Sequence, residues 1–254
     1  MRPGVLIIGH GSSRSAGAFA SAEGHAARLR ATGRFGTVAT GFLRGGTPPR
    51  EALDAMPDGE IFIVPFLMSE GYFSRVRIPD DLGLAGRVTE AAGRRLVYCD
   101  PVGTDPALAT VAVEVALGQC RALGCAPAET EVLVVGHGSP NDPGSRRATL
   151  EQAGRLERSG RFRSISCAFL DETPTLPERL AGIPHAGPPV VLVGLFAADG
   201  LHAGLDIPEM VADWHRKAGR KAGRRRCLAY AGAVGSRPAV TDLLLAAIER
   251  GGMA

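Results

Sequence analysis

"VLIIGHGSS", Val5 to Ser13, and "VLVVGHGSP", Val132 to Pro140, are near copies: each is an apolar run ending in a histidine set between two glycines and followed by a serine. The likeness spreads outward from them. "GFLRGGTPPREAL", Gly41 to Leu53, returns 127 residues on as "AFLDETPTLPERL", Ala168 to Leu180, the same spacing that separates His10 from His137. "VPFLMSEGYFSRVRIPDDL", Val64 to Leu82, returns after 129 residues as "VGLFAADGLHAGLDIPEMV", Val193 to Val211. "YCDPVGTDPAL", Tyr98 to Leu108, returns after 132 as "YAGAVGSRPAV", Tyr230 to Val240. Offsets that grow by a few residues mark two complete copies with small loop insertions. The chain therefore reads as two domains, residues 1–126 and 127–254, joined through "CAPAET", Cys125 to Thr130.

Within each copy, short runs rich in β-branched residues ("GVLIIG", "EIFIVPF", "EVLVVG", "PPVVLVGLF") have the length and composition of strands buried on both faces. Helical patterns lie between them. "FASAEGHAARLRATG" and "SRRATLEQAGRLERSG" follow the first strands, and "ALATVAVEVALGQCRALG" and "AVTDLLLAAIERGG" close the copies, each with a glycine at its end. Alternating strands and helices predict an α/β fold: two similar domains, each a small parallel sheet flanked by helices, with a cleft between them. Ligands of such sheets bind beyond the carboxyl ends of the strands, where both GHGS motifs fall.

Composition narrows the function. The 254 residues carry a net charge of only +3, and the single basic run, "RKAGRKAGRRR", Arg216 to Arg226, has no interleaved aromatics, so it reads as a solvated face and nucleic acid is not expected as a partner. No apolar stretch approaches the ~20 residues of a membrane span, and the N-terminus lacks a signal peptide's apolar segment; a cytoplasmic protein is expected. Five cysteines without a CxxC predict reduced, mostly packed thiols, with neither a disulfide framework nor a zinc or iron–sulfur motif.

The chemistry gathers in the second copy. His137 stands in a turn that Gly136 and Gly138 allow to bend and a bulky ligand to approach. An imidazole, with an ordinary pKa near ~6.5, can accept a proton or bind a metal through its bare nitrogen at neutral pH. His202 follows the strand "VVLVGLF", just before a helix for which Asp206 is the expected N-cap. Asp171 and Glu172 follow the strand "RSISCAFL". Two imidazoles and a carboxylate with open positions suit a divalent first-row ion, although the same groups also fit separate loop duties. In the first copy Arg44 stands for Asp171, Phe73 for His202 and Arg77 for Asp206; only His10 and Ser12 match His137 and Ser139. That half reads as a positive, partly aromatic wall, with Tyr72 and Arg75 beside Phe73. It suits a flat ligand bearing several carboxylates. A serine hydrolase is disfavoured because "GHGSP" lacks the G-x-S-x-G elbow, and a two-lobed periplasmic-type binding protein because no signal peptide is visible and no crossing of the chain between the copies is expected.

Together "LIIGHGSS", "LVVGHGSP", "FLDETPTL" and "GLHAGLDIP" recur in an order that resembles the CbiX-type sirohydrochlorin chelatases of the class II chelatase superfamily, in their long, two-copy form. The resemblance implies insertion of Fe²⁺ or Co²⁺ into the tetrapyrrole sirohydrochlorin, late in siroheme or cobalamin synthesis. It implies His137 and His202 as catalytic residues and, with Asp171 in place of the usual glutamate, as metal ligands. His10, Ser12, Arg44, Phe73, Arg77 and Ser139 are then expected to contact the substrate, with Arg75, Arg146 and Arg147 as further partners for its carboxylates. Ferrous iron is favoured over cobalt, because no Cys cluster or His-rich tail is present. No prosthetic group and a monomeric state are expected. The alternative is a tetrapyrrole or metal carrier without turnover.

Overall fold

A computed structural model describes residues 2–13, 15, 17–217 and 227–252. Most of the basic run Arg216–Arg226 lies outside the described residues.

The chain divides into two compact units, the first comprising Met1–Asp105 with Gly235–Ala254 and the second Pro106–Val234. In the first, β1 (Gly4–Gly11), β2 (Thr37–Arg44), β3 (Gly59–Phe66), β4 (Val88–Ala91) and β5 (Arg94–Tyr98) form one sheet in the order β2-β1-β3-β5-β4. All neighbours run parallel except β4, which pairs antiparallel with β5. That departure from the expected all-parallel sheet comes from a tight turn at Ala92 and Gly93, both at positive φ, as a two-residue hairpin requires. The second unit is parallel throughout, β6 (Glu131–Gly136), β7 (Ser164–Phe169), β8 (Val190–Gly194) and β9 (Leu228–Ala233) in the order β7-β6-β8-β9.

The central strands are apolar along their whole length because helices cover both faces. In the first unit Leu6, Ile8, Ile61, Ile63 and Leu96 pack against α2 (Pro49–Asp54) and α3 (Ile78–Leu82) through Leu53, Ile78 and Leu82. In the second, Leu133, Val135, Val190 and Leu192 pack against α6 (Leu176–Ala181) and α7 (Ile207–Lys217) through Leu176, Leu180, Ile207 and Trp214. α6 starts on a capping box: Thr175 accepts from the Glu178 N–H and Glu178 from the Thr175 N–H. The opposite faces take α1 (Gly17–Ala31) and α5 (Gly144–Arg158), the helices that follow β1 and β6.

Against the expectation of no crossing between the copies, the chain passes from one unit to the other and back, and the helices that close the repeats are exchanged. α4 (Leu108–Leu123) belongs by sequence to the first copy but packs on α5, β8 and β9 of the second unit; α8 (Val240–Gly252) belongs to the second copy but packs on α1, β3 and β5 of the first. The boundary expected at residues 126 and 127 thus separates the sequence repeats, whereas the compact units trade their last helices. The sequence is silent on this because both helices bury the same kind of face, Leu108, Val111, Ala112 and Ala116 in α4 and Val240, Leu243, Leu244 and Ala247 in α8. Either sheet accepts either stripe.

A histidine not singled out from the sequence clasps the exchanged α8. His25 on α1 is fully buried, with Nδ1 2.8 Å from the Thr241 hydroxyl and Nε2 2.8 Å from the Gly235 carbonyl. Its ring stands edge-on to Phe66 at 5.1 Å. Burial holds its pKa below the ordinary imidazole value. In the neutral ring Nε2–H donates to the carbonyl and Nδ1 accepts from the hydroxyl, so both polar groups of the incoming segment are satisfied.

Candidate metal and tetrapyrrole site

In the second unit the site begins where β6 ends. Gly136 is required there by the protein itself: a Cβ would come within 2.2 Å of the Thr149 hydroxyl on α5. Gly138 has φ +75°, and a Cβ on it would fall 2.7 Å from Cγ of Glu172. The glycines expected to admit a ligand are therefore filled by protein on those sides. The loop after β7 is stitched to this turn, the N–H groups of Leu170 and Asp171 both donating to the His137 carbonyl at 3.0 Å.

This stitching decides which carboxylate reaches His137. Asp171 Oδ2 lies 3.1 Å from His137 Nδ1, which also lies 3.1 Å from the Gly138 carbonyl. Glu172 instead turns under Gly138, with Oε2 3.5 Å from Arg146 and Oε1 buried without a hydrogen-bond partner. Arg146 is held in turn by the Thr173 carbonyl at 2.8 Å and by its stack on Phe169 at 4.9 Å, so this arginine is fixed within its own unit. Arg147 is exposed. The Ser139 hydroxyl accepts from the N–H groups of Asn141 and Asp142, fixing the turn into α5 and leaving its own proton to donate.

His202 arrives from β8 on a π-helical turn, His202–Asp206, that runs directly into α7. Asp206 sits inside this continuous helical path rather than at the expected N-cap. One turn on from the histidine, its Oδ2 lies 2.7 Å from His202 Nδ1. The signal was present as His-x-x-x-Asp, a spacing that puts both side chains on one helical face.

The His137 and His202 rings stand edge to face, centroids 5.4 Å apart and planes at 86°. Both keep about half of their side-chain surface exposed. Each Nδ1 faces carboxylate or carbonyl oxygen, which places the proton on Nδ1 and the lone pair on Nε2. Two imidazoles sharing one ion through Nε2, with metal–nitrogen distances of about 2.1 Å at a tetrahedral angle, have centroids about 5 Å apart. The observed centroid spacing leaves room for that arrangement, although an edge-to-face ring contact alone has the same spacing. Among the described residues no three His, Cys, Asp or Glu side chains converge as a ready-made metal cage: Asp171, expected as the third metal ligand beside His137 and His202, addresses Nδ1 of His137 instead.

The first unit repeats this geometry with different chemistry. His10 Nδ1 lies 3.1 Å from the Gly11 carbonyl, as His137 does from Gly138. Phe73 opens a matching π-helical turn, Phe73–Arg77, and stands edge-on to His10 at 5.2 Å and 87°. It occupies against His10 the place that His202 occupies against His137. Tyr72, more than half exposed, packs on Phe73 at 5.7 Å. Arg77 pairs with Asp81 at 3.0 Å, and Arg44 and Arg75 are exposed. Ser12 is partly exposed next to His10.

No described helix is long and apolar enough to cross a membrane. The CbiX family model matches residues 4–117 and 131–251, one copy for each repeat. A probable sirohydrochlorin cobaltochelatase of Halobacterium salinarum is 30% identical, over 95% of this chain and 89% of that protein. Two solved structures share the fold. SirB from Bacillus subtilis, determined with Fe³⁺, has TM-score 0.76 and 21% identity over 99% of this chain and 96% of its own. A multi-domain Deinococcus radiodurans protein with structural similarity to chelatases has TM-score 0.79 and 24% identity; it is matched over 98% of this chain, which spans 55% of that protein's length. With both repeats matched and that identity sustained along the chain, the protein belongs to the CbiX family.

Proposed function

We propose that the protein is a sirohydrochlorin chelatase, inserting Fe²⁺ or Co²⁺ into the metal-free macrocycle from the His137–His202 pair. The observation that carries this reading is the pair itself, two rings 5.4 Å apart whose Nδ1 atoms are held by Asp171 and Asp206. Both Nε2 lone pairs are then free for one ion, or for a proton. Metallation needs that combination. The macrocycle gives up two pyrrole N–H protons as the ion enters, so the ion's ligands must hold it weakly enough to release it, and a base must stand on the side from which it comes. His137 and His202 serve both needs, and Asp171 acts on the ion through the His137 ring that it orients.

Sirohydrochlorin is flat and carries many carboxylates. We assign its contacts to His10, Ser12, Arg44, Phe73 and Arg77 in the first unit and Ser139 in the second. Phe73 supplies an aromatic face where a second metal ligand would stand, so the first unit binds macrocycle and not ion. Two imidazoles, each held at Nδ1 by a carboxylate, accept iron and cobalt alike. Ferrous insertion, yielding siroheme, is the preferred reading, and the cobalt reading is supported by the Halobacterium relative's name. The reading places a monomeric enzyme in the cytoplasm with no prosthetic group, the metal being a substrate.

The test is anaerobic metallation of sirohydrochlorin followed by absorbance, with Fe²⁺ and Co²⁺ in turn, for the unmodified chain and for His137→Ala, His202→Ala and His10→Ala. Multiple turnovers, lost in the first two variants and largely kept in the third, are expected. One metallated product per chain at most would make the protein a carrier. Loss in His10→Ala alone would move the chemistry to the first repeat.

A further inference from the structure

α4 ends in a helix-stop that brings two cysteines together. Gly124, in the left-handed conformation at φ 65°, donates its N–H to the Arg121 carbonyl, and the Cys125 N–H donates to the Cys120 carbonyl at 3.0 Å. This is the Schellman arrangement, in which the side chains three places inside and two places beyond the helix end meet; an apolar pair ordinarily fills those places. Here both are thiols. Cys120 Sγ lies 3.6 Å and Cys125 Sγ 3.4 Å from the same oxygen, the hydroxyl of the fully buried Thr130. That hydroxyl lies 2.8 Å from the Ala126 carbonyl, to which it donates its single proton, so its oxygen is left to accept from Cys120. Cys125 Sγ is also 3.6 Å from the Cys120 carbonyl.

The two sulfurs differ in access. Cys120 is fully buried, whereas Cys125 is partly exposed. Burial, with Cys125 beside it, raises the pKa of Cys120, and burial pushes the Cys99 thiol up to about 12. Cys167 and Cys227 have no second thiol against a shared partner among the described contacts. A buried thiol meeting an accessible one across a closed six-residue turn is the arrangement of a resolving cysteine behind a peroxide-reactive one.

We propose that Cys120 and Cys125 are a modification site, a dithiol that a peroxide converts to an intramolecular disulfide tying the end of α4 to the segment entering β6. Cys125 thiolate attacks the peroxide oxygen, breaking the O–O bond and leaving Cys125 as sulfenic acid and the oxidant as an alcohol or water. Cys120 then attacks the sulfenyl sulfur; the S–S bond forms, and hydroxide leaves with the Cys120 proton as water. Two thiols lose two electrons to one peroxide. The site lies before β6 and His137 just after it, about 20 Å of strand apart. Metallation is therefore expected to be the same for the oxidised and reduced protein, and the proposal stands apart from the function assigned above.

The experiment uses the full chain carrying Cys227→Ser, which removes the exposed thiol, treated with one equivalent of hydrogen peroxide and mapped by peptide mass spectrometry without reduction. The expected product has lost two hydrogens, joins residue 120 to residue 125, and reverts with dithiothreitol. In Cys120→Ser the same treatment should leave a sulfenic acid on Cys125 that dimedone traps; Cys125→Ser should leave Cys120 unmodified. Free thiols at both positions, or separate sulfinic acids with no crosslink, would overturn the proposal.

Discussion

His25 offers the sharpest test of the exchanged helix. Replacing it with alanine removes two hydrogen bonds of 2.8 Å, leaves the buried Gly235 carbonyl unpaired and opens a void beside Phe66. At about 1 kcal/mol for each bond, with a further 1–3 for the stranded carbonyl, His25→Ala should cost about 3–5 kcal/mol. Glutamine should cost far less, since the second repeat carries Gln152, 1% exposed, 127 residues after His25. The variant also separates charge from shape. Because burial lowers the His25 pKa, the unfolded chain takes up the proton first as pH falls. This contribution is constant above the unfolded value of about 6.5. Stability then declines by up to ~1.4 kcal/mol for each pH unit below it, until the folded value is reached.

The assay is urea unfolding followed by far-ultraviolet circular dichroism at pH 7.5 and pH 5.5; Trp214 fluorescence reports the second unit and serves as a comparison. The stability advantage of the native chain over His25→Gln should shrink on going to the lower pH, by at most ~1.4 kcal/mol. A gap that does not change with pH would refute the assignment of a neutral, doubly bonded His25.

Three other substitutions probe the site. Asp206→Asn should lower kcat/KM for the metal by about 10- to 100-fold, with the macrocycle's affinity kept, since it weakens the hold on His202 Nδ1; an unchanged metal dependence would remove Asp206 from the site. Phe73→Ala should weaken sirohydrochlorin binding by roughly tenfold while Co²⁺ binding, measured calorimetrically, stays as it was, and equal macrocycle affinity would sink the wall reading. Gly138→Ala must place a Cβ at φ +75° against Glu172, so a loss of about 2–3 kcal/mol in chemical unfolding and a fall in turnover are expected; full activity would mean that the turn is not needed to place His137.

The strand runs, the four long helices and the duplication were legible because each rests on a local pattern: β-branched runs of strand length, a helical period, near copies at an offset that grows by only a few residues. The location of α4 and α8 was not. Which of two similar sheets a helix covers depends on where its connection leads, and two equivalent apolar stripes leave no trace of it. At the site, the histidines were legible from their place after strands, and Phe73 from its alignment with His202. The divided duties of Asp171 and Glu172 were not, because adjacent carboxylates in one loop are distinguished only by which faces His137 and which turns under Gly138. Asp206 was assigned to the wrong partner because the same acid before a proline serves equally well as an N-cap; a π-helical turn continuing into α7 removed the free N–H groups it would have capped.

The two repeats also keep one local shape around different side chains. The π-helical turn persists in the first copy although its histidine and aspartate are gone. Phe73 keeps the edge contact, at 5.2 Å against 5.4 Å in the second copy, and Arg77 finds Asp81 one turn on in place of a histidine behind it. Histidine and carboxylate differ together between the copies, the ring and the group that holds its Nδ1. The packing pattern was retained and the donor atoms were replaced. On the proposed function, the turn in the first unit meets the macrocycle through its surface, whereas the turn in the second meets the metal through Nε2.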